Sequence, residues 1–434
     1  MDLNPNTAQC PAPDLRCWQR RVFGLLWTGY AAYYLCRVNF AVAQPAILKD
    51  FPSWTSAEIG SIPSAFALAY AIGQLVNGTL GQRYGARRLM SAALLVACLC
   101  NVLMAFTHSI GSMRILWALN GWGQSAGWAL MVQVMSDWSA SRRRGTLLAW
   151  LSTCYQFGHV ASWLLAGVLC QAIGWRAAFA VPGMAVLPMA AALFLFLRDS
   201  PADAGLPPVR DDLPSKPDSP PGQESGWRAL WPVLRQTLAS RVLWILGIGF
   251  FIMNAVRYTF MNWTVQYMSE FHGRSLENSV LTAVVLPLAG IAGALSAGWM
   301  SDVLFHGRRA PVCILMMLGL SVTCAGMIFL PPGGWLAATV LLGIAGFMIY
   351  GNDILIAGAA TVDLSDPRAG SFATGLTMCL GGIGAILSGA GIGYVKDLAQ
   401  GSWLPVFVGL AVMPLLPAAL MTLLWNAKPR GAGR

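Results

Sequence analysis

Apolar runs of about 20 residues recur along nearly the whole chain of 434 residues. An α-helix needs a run of that length to cross the hydrocarbon core of a bilayer. Hydrophobic residues make up 56% of the sequence and charged residues only 11%, whereas soluble domains hold roughly 45–50% and about 25%. The sequence therefore predicts an all-α integral membrane protein and excludes a chain of two or three soluble domains.

The apolar runs predict twelve transmembrane helices in two sets of six. A segment rich in proline and charge separates the sets and has the composition of a flexible hydrophilic linker. The predicted units are a tail at 1–21, a six-helix bundle at 22–197, the linker at 198–241, a second bundle at 242–426 and a tail at 427–434. The predicted helices cover residues 22–46, 57–82, 87–107, 112–135, 145–171, 175–197, 242–269, 277–302, 309–330, 335–362, 369–395 and 403–426.

Lysine and arginine are distributed unequally between the two sides of the predicted bundle. If both ends of the chain and the linker share one side, that side carries 21 of the 28 basic residues, and the opposite side carries five. Because basic residues are enriched in short cytoplasmic loops, both termini and the linker are predicted to be cytoplasmic. The net charge of +10 then reflects membrane topology and gives no reason to expect nucleic acid as a partner.

Two landmarks recur 220 residues apart. Arg37 lies in the first predicted helix and Arg257 in the seventh. A glycine followed by basic residues occurs near the end of the second helix, at Gly78, and again near the end of the eighth, at Gly298. Parallel six-helix repeats are typical of transporters whose halves rock about a central site. The repeat therefore predicts a transporter with two pseudo-symmetric halves.

The two glycine-and-basic segments, residues 78–88 and 298–309, are candidate gating elements. They resemble the loop between helices 2 and 3 of the major facilitator superfamily, in which an aspartate and arginines hold the halves together on the cytoplasmic side. Gln82 stands in place of the aspartate in the first copy. The alternative is that both segments only set the membrane topology. The candidate gating residues are Gly78, Arg83, Arg87, Gly298, Asp302 and Arg308.

Three charged side chains lie deep in predicted helices: Arg37, Arg257 and Asp353. A charge near the bilayer centre costs about 3 kcal/mol or more, so such residues indicate function. Two guanidinium groups facing each other across a pseudo-two-fold axis suit an oxyanion, because each presents paired N–H donors. The pair therefore predicts an anion-binding site. The alternative is that each arginine pairs only with a helix carbonyl or with Asp353.

Six motifs spread over nearly the whole chain are specific to one known family. They are GYAAYYLCRVNF (29–40), AYAIGQLVNG (69–78), LNGWGQSAGW (119–128), RDSPADAGLP (198–207), AVRYTFMNW (255–263) and GFMIYGNDILI (346–356). In these motifs the chain resembles the organophosphate:phosphate antiporter family of the major facilitator superfamily. The resemblance implies the major facilitator fold in a bacterial inner membrane. It also implies exchange of an organophosphate for inorganic phosphate.

The same resemblance implies which side chains meet the substrate. Arg37 and Arg257 correspond to the family's two phosphate-binding arginines. The other candidate substrate-binding residues are Tyr30, Tyr34, Tyr70, Gln74, Trp128, Tyr155, Asn262, Tyr350 and Asp353.

The cavity departs from the family pattern in its charge. Gln74 stands where a lysine is usual, and Tyr155 stands where some members carry a histidine. Asp353 lies in a motif that usually continues Tyr-Gly-Pro, so a carboxylate is gained. With two arginines the site has a formal charge of about +1. We therefore expect an anionic head and a cationic or strongly hydrogen-bonding tail, as in an amino-phosphonate or a phosphorylated amine. The alternatives for Asp353 are a proton carrier and a structural partner.

The predicted function is secondary transport of a small phosphorylated or phosphonate anion by alternating access, in exchange for inorganic phosphate. Three alternatives stay open: proton-coupled uptake of an organic anion or amino-phosphonate, a membrane sensor of external sugar phosphate with little flux, and a drug or carboxylate carrier. An enzyme is not predicted, because the sequence has no nucleophile–base pair, metal cluster or phosphate-cradling loop. No cofactor is expected, and the chain is predicted to act as a monomer in the lipid bilayer.

Overall fold

The computed structural model describes residues 15–207, 209, 235, 238–356 and 370–426. Within these ranges the chain is helical and has no strand, which confirms the all-α prediction. The tail at 427–434 and most of the predicted linker lie outside the described residues. The helices group into twelve spans, which are numbered here in chain order.

The first half of the molecule contains spans 1 to 6. Span 2 begins with a capping box, in which the Glu58 amide donates to the Thr55 hydroxyl and the Thr55 amide donates to the Glu58 carboxylate. The helix bounds are span 1 (Leu15–Leu35 and Asn39–Asp50), span 2 (Ser56–Tyr84), span 3 (Ala86–Met104), span 4 (Ile110–Gln124 and Gly127–Asp137), span 5 (Ser141–Ala172) and span 6 (Ala177–Phe196).

The second half contains spans 7 to 12. A short 3-10 turn at Pro201–Ala204 follows span 6, within the first part of the predicted linker. The bounds are span 7 (Arg241–Glu270), span 8 (Leu276–Ala283, Val285–Trp299 and the π turn Met300–Leu304), span 9 (Arg309–Ile328), span 10 (Trp335–Ile354), span 11 (Gly370–Ile386, the π turn Leu387–Gly391 and Ile392–Leu398) and span 12 (Leu404–Val412 and Leu415–Thr422).

Eight of the described helices are long and apolar enough to cross a membrane, and they correspond to spans 3 and 6 to 12. The other four spans are 1, 2, 4 and 5. Spans 1 and 4 are interrupted, and spans 2 and 5 carry more polar side chains. Spans 1, 2 and 5 are also the ones that pack against the second half. The most polar helices of the first half therefore face the centre of the molecule.

Predicted helices in both halves are interrupted in the structure, two of them in the first half. The helix predicted at 22–46 begins at Leu15, breaks after Leu35 and continues to Asp50. The helix predicted at 112–135 breaks after Gln124. Hydrophobic periodicity does not show such breaks, because an apolar run reads the same whether or not a short turn interrupts it.

The two halves meet through three pairs of spans: 2 with 11, 5 with 8, and 1 with 7. The repeat relates spans 1, 2 and 5 to spans 7, 8 and 11, so the first two pairs are equivalent to each other. Span 1 packs on its own counterpart. The interface therefore follows the pseudo-two-fold symmetry that the sequence repeat predicts.

Hydrogen bonds fasten these pairs on one side of the bundle. We call the side where span 6 ends and span 7 begins the linker side, and the opposite side the far side. On the far side, the Gln44 amide donates to the Gln266 side-chain oxygen at 2.6 Å. The amides of Ser56 and Ala57 donate to the Asp397 carboxylate at 2.9 and 2.7 Å. These hydrogen bonds between the halves close the centre on the far side.

Candidate functional site

Arg37 lies at the break in span 1. The first helical segment ends at Leu35 and the second begins at Asn39. The amides of Arg37 and Val38 both donate to the Tyr34 carbonyl, at 3.1 and 3.3 Å. No proline or glycine occurs at the break. The break has another known cause. Side chains from neighbouring helices insert here and interrupt the backbone hydrogen bonds of the helix.

The inserted side chains are amides from spans 3 and 4. The Cys36 carbonyl accepts hydrogen bonds from Asn101 at 2.9 Å, Asn120 at 2.8 Å and Gln124 at 3.2 Å. The Gln124 amide also donates to the Asn120 side-chain oxygen at 2.8 Å. These three side chains are almost completely buried. They replace the helical hydrogen bond that the carbonyl has lost and hold the backbone next to Arg37 in place.

Spans 3, 5 and 6 fix the second part of the break. The Val38 carbonyl accepts a hydrogen bond from the Trp163 indole at 3.1 Å. The Asn39 amide donates to the Asn101 side-chain oxygen and to the Ala178 carbonyl, both at 2.9 Å. Arg37 is therefore carried by backbone that four neighbouring spans determine. Sequence reasoning missed this network, although buried amides in apolar helices are a signal that could have found it.

This network gives a first prediction. In Asn120→Leu, the Cys36 carbonyl loses one of three donors, so phosphate binding should weaken about fivefold because a net hydrogen bond is worth about 1 kcal/mol. In the double variant Asn101→Leu/Asn120→Leu, the loss of binding free energy should exceed the sum of the losses in the two single variants. Calorimetric titration with inorganic phosphate measures both, with Asn278→Ala near the start of span 8 as the control. Reduced thermal stability with unchanged affinity would show that the network has no influence on Arg37.

The Arg37 guanidinium lies among aromatic rings. Its central carbon is 4.5 Å from the ring centre of Tyr70, 5.2 Å from that of Tyr34 and 5.4 Å from that of Phe66. Among the described residues, no carboxylate lies within 4 Å of Arg37. Cation–π contacts stabilise the charge without neutralising it. Arg37 therefore remains available to an anion.

Arg257 differs from Arg37 in both backbone and partner. It lies within the continuous helix of span 7, and its Nη1 is 2.7 Å from Asp353 Oδ2 on span 10. The two side chains are 17% and 21% exposed, so a solute in the central space can reach both. The Tyr258 ring centre lies 4.9 Å from the guanidinium carbon. The repeat thus places two arginines at equivalent positions, and within the described part of the chain only Arg257 has a carboxylate partner.

Three side chains lie near both arginines. Tyr34 of span 1 and Tyr258 of span 7 each lie within electrostatic range of both Arg37 and Arg257. The buried His159 of span 5 also lies within range of both. A group that is coupled to both charges must lie between them or beside them. The structure therefore brings together the two arginines that the sequence predicts as a pair.

Four of the predicted site residues form a closed ring of aromatic contacts. Ring centres are separated by 5.6 Å for Tyr30 and Trp128, 6.3 Å for Trp128 and Tyr155, 6.2 Å for Tyr155 and Tyr34, and 5.9 Å for Tyr34 and Tyr30. Tyr155 also lies within electrostatic range of Asp353. The ring therefore links the surroundings of Arg37 to the ion pair of the second half.

Three further candidates occupy different surroundings. Gln74 is half-buried, one turn beyond Tyr70 on span 2. Asn262 donates to the Ser388 hydroxyl at 3.2 Å and so joins spans 7 and 11. Tyr350 is buried against span 8 and lies within electrostatic range of Arg257 and Asp353. Their roles in substrate binding stay predictions.

The described contacts of three gating candidates, which include one backbone amide, lie within their own halves. The Arg87 amide donates to the Asp199 carboxylate at 2.7 Å, and Arg83 lies beside the Tyr84 ring. Asp302 pairs with Arg309 at 2.5 Å. Arg308 Nε is buried and has no partner among the described residues. A Cβ added to Gly298 would meet no other atom within 4 Å. Gly78 lies within span 2.

Comparisons with known proteins agree on one family. Residues 26–389 match the family model described as Major Facilitator Superfamily. A probable hexose phosphate transport protein of Chlamydia pneumoniae is 30% identical over 421 residues, which cover 94% of this chain and 92% of that protein. The glycerol-3-phosphate transporter of Bacillus subtilis is 29% identical, covering 94% and 93%. The membrane sensor protein UhpC of Salmonella typhimurium is 28% identical, covering 95% and 93%.

Solved structures share the fold at low sequence identity. A bacterial homologue of the human lysosomal transporter Spinster, crystallised in an inward-facing and unoccupied conformation, superposes with a TM-score of 0.74 at 17% identity. The superposition covers 94% of this chain and 97% of that structure. This likeness shows the arrangement of the helices and carries no information about the substrate.

Proposed function

Because the chain belongs to the Major Facilitator Superfamily, and within it to the organophosphate:phosphate antiporter family, we propose that it exchanges a small phosphorylated or phosphonate anion for inorganic phosphate. The protein is a multi-pass membrane transporter and not an enzyme. Relatives are named as transporters of hexose phosphate, glycerol-3-phosphate and phosphoglycerate. Their names support a phosphate ester as the substrate of this chain.

The observation that carries the proposal is the pair formed by Arg37 and Arg257. The two guanidinium groups occupy equivalent positions in the two halves and lie near the same tyrosines. Each can donate two parallel hydrogen bonds to a tetrahedral oxyanion. A single phosphate held by both would therefore connect the two halves of the transporter at its centre.

Alternating access follows from the interface between the halves. Bonds such as Gln44 to Gln266 close the far side, and the described partners of Arg87 and Asp302 on the linker side belong to their own halves. We assign the linker side to the cytoplasm of a bacterial cell, as the distribution of basic residues indicates. The structure then corresponds to a cytoplasm-facing state, and rocking of the halves around the arginines would open the far side.

A membrane sensor is the second candidate function. The likeness to UhpC extends over 95% of this chain, so the fold and the site serve either role. A sensor binds its ligand and carries little flux, whereas a transporter does both. The same proteoliposome experiment separates them.

The experiment measures phosphate exchange directly. Purified protein is reconstituted into liposomes loaded with phosphorus-32 phosphate, and candidate external anions are added. A transporter should release label when unlabelled phosphate or a phosphate ester is added outside, and Arg257→Lys should slow the release. Binding of phosphate without release of label would contradict exchange and favour the sensor.

A further inference from the structure

The central site holds one more carboxylate than an anion site needs. Arg257 is paired with Asp353 at 2.7 Å, while Arg37 lies beside aromatic rings and has no described carboxylate within 4 Å. The three side chains carry a formal charge of +1. A phosphate monoester dianion would therefore leave the site with a net negative charge. A substrate that also carries an ammonium group would bring the total to zero.

We propose that the substrate is a zwitterion, with a phosphate or phosphonate group for the two arginines and an ammonium group for Asp353. The inference rests on the proposed function and narrows its substrate class. When the phosphoryl group pairs with Arg257, it displaces the Asp353 carboxylate. The carboxylate then accepts the ammonium group of the same substrate. The number of ion pairs is thereby conserved, and no charge is left without a partner in the membrane.

A substrate without the ammonium group has no such compensation. Asp353 would either stay on Arg257 and leave the anion to Arg37 alone, or lie without a partner beside a dianion. The two charges of like sign repel each other, and the repulsion is strong because the site is shielded from bulk water. Asp353 therefore acts as a specificity determinant, since it penalises a purely anionic substrate more than a zwitterionic one.

The side chains around Asp353 also suit a cation. Tyr155 and Tyr350 lie within electrostatic range of the carboxylate. Tyr155 belongs to the aromatic ring described above, with Trp128 and Tyr34 as its neighbours at 6.3 and 6.2 Å. The faces of such rings carry negative partial charge and attract ammonium groups. A cationic tail extending from the arginines toward Asp353 would meet these faces.

Two polar groups near the ion pair are left without partners. Arg257 Nε and both side-chain atoms of Asn352 are buried and make no hydrogen bond with the described residues. A guanidinium that uses Nη1 for Asp353 still has Nε to offer to a ligand oxygen. Because unsatisfied buried polar atoms are rare in native proteins, the unpaired Arg257 Nε favours a ligand that supplies an acceptor.

The test compares two ligands that differ only in the ammonium group. Binding of phosphoethanolamine and of ethyl phosphate is measured by calorimetry with the purified full-length transporter. The wild type should bind phosphoethanolamine at least tenfold more tightly than ethyl phosphate. In Asp353→Asn the ratio should fall to about one, because phosphoethanolamine loses its partner and ethyl phosphate loses a repulsive neighbour. Glu277→Gln, which removes an exposed carboxylate on the far-side turn, should leave the ratio unchanged.

Other outcomes separate this inference from the proposed function. If both ligands bind with similar affinity, or if Asp353→Asn weakens both equally, the zwitterion is wrong while phosphate transport still stands. If neither ligand nor inorganic phosphate binds to the wild type, the proposed function itself fails. Should Asp353→Asn not fold, Asp353→Glu keeps the charge and moves it by one methylene, so the ratio should still favour phosphoethanolamine. A ratio near one in that variant would overturn the inference.

Discussion

Arg37→Ala should weaken the binding of inorganic phosphate at least about a hundredfold. Among the described residues, Arg37 is the arginine without a carboxylate partner, so its charge is available to the anion. Charge-assisted hydrogen bonds contribute about 1.5–3 kcal/mol each, and losing two of them exceeds the roughly 2.7 kcal/mol that corresponds to a hundredfold change. Calorimetric titration with phosphate measures the loss.

Arg37→Lys is the matched control for charge. It keeps the positive charge and loses the paired donors, so affinity should fall about tenfold and not a hundredfold. Phosphate binding that survives Arg37→Ala unchanged would exclude Arg37 from the site. Arg257→Ala is less simple to interpret, because it leaves Asp353 without its partner and should also destabilise the fold by about 3 kcal/mol or more. Combining it with Asp353→Asn should restore stability but not phosphate binding.

Gly389→Val should reduce the transport rate at least tenfold while phosphate binding persists. Spans 2 and 11 touch backbone to backbone on the far side, where a Cβ on Gly60 would lie 2.5 Å from the Gly389 carbonyl oxygen. A Cβ on Gly389 would likewise overlap the Gly60 carbonyl. Because backbone cannot move aside, valine should hold the far side open and stop the transport cycle before the halves close.

Gly391→Val provides the matched control for this interface. Gly391 lies two residues further along the same span, and its built Cβ meets only Leu387 of that span, at 3.9 Å. Spin labels at the exposed positions Ser53 and Ser402, in protein whose reactive native cysteines are replaced, report the far-side distance. That distance should lengthen in Gly389→Val and stay unchanged in Gly391→Val. Equal transport in the two variants would contradict the role assigned to the interface.

Much of the fold could be predicted from the sequence because the bilayer imposes a length scale. Twelve apolar runs and the offset between Arg37 and Arg257 were enough to predict two six-helix halves. The break in span 1 could not be predicted in this way. It depends on Asn101 and Asn120, which belong to different spans and reach Cys36 only in the folded protein. No local signal at residues 36–38 encodes that contact.

The sequence predicts members for the candidate site but not how they pair. The repeat indicated that Arg37 and Arg257 belong together, and the resemblance supplied the tyrosines around them. Neither the repeat nor the resemblance could show that Asp353 pairs with Arg257, while Arg37 has no carboxylate partner among the described residues. Which arginine Asp353 pairs with depends on how span 10 approaches span 7. The resulting inequality of the two arginines comes from tertiary packing, and the zwitterion hypothesis now rests on it.

The most direct test of the central claim is a double-mutant cycle on phosphate affinity. The claim is that Arg37 and Arg257 bind the same anion. Phosphate binding is measured for the wild type, Arg37→Lys, Arg257→Lys and the double variant, since lysine keeps affinities measurable. A shared site predicts one phosphate per protein and a coupling energy above about 0.5 kcal/mol between the two positions. Two phosphates per protein, or losses that simply add, would contradict a single site shared by the two halves.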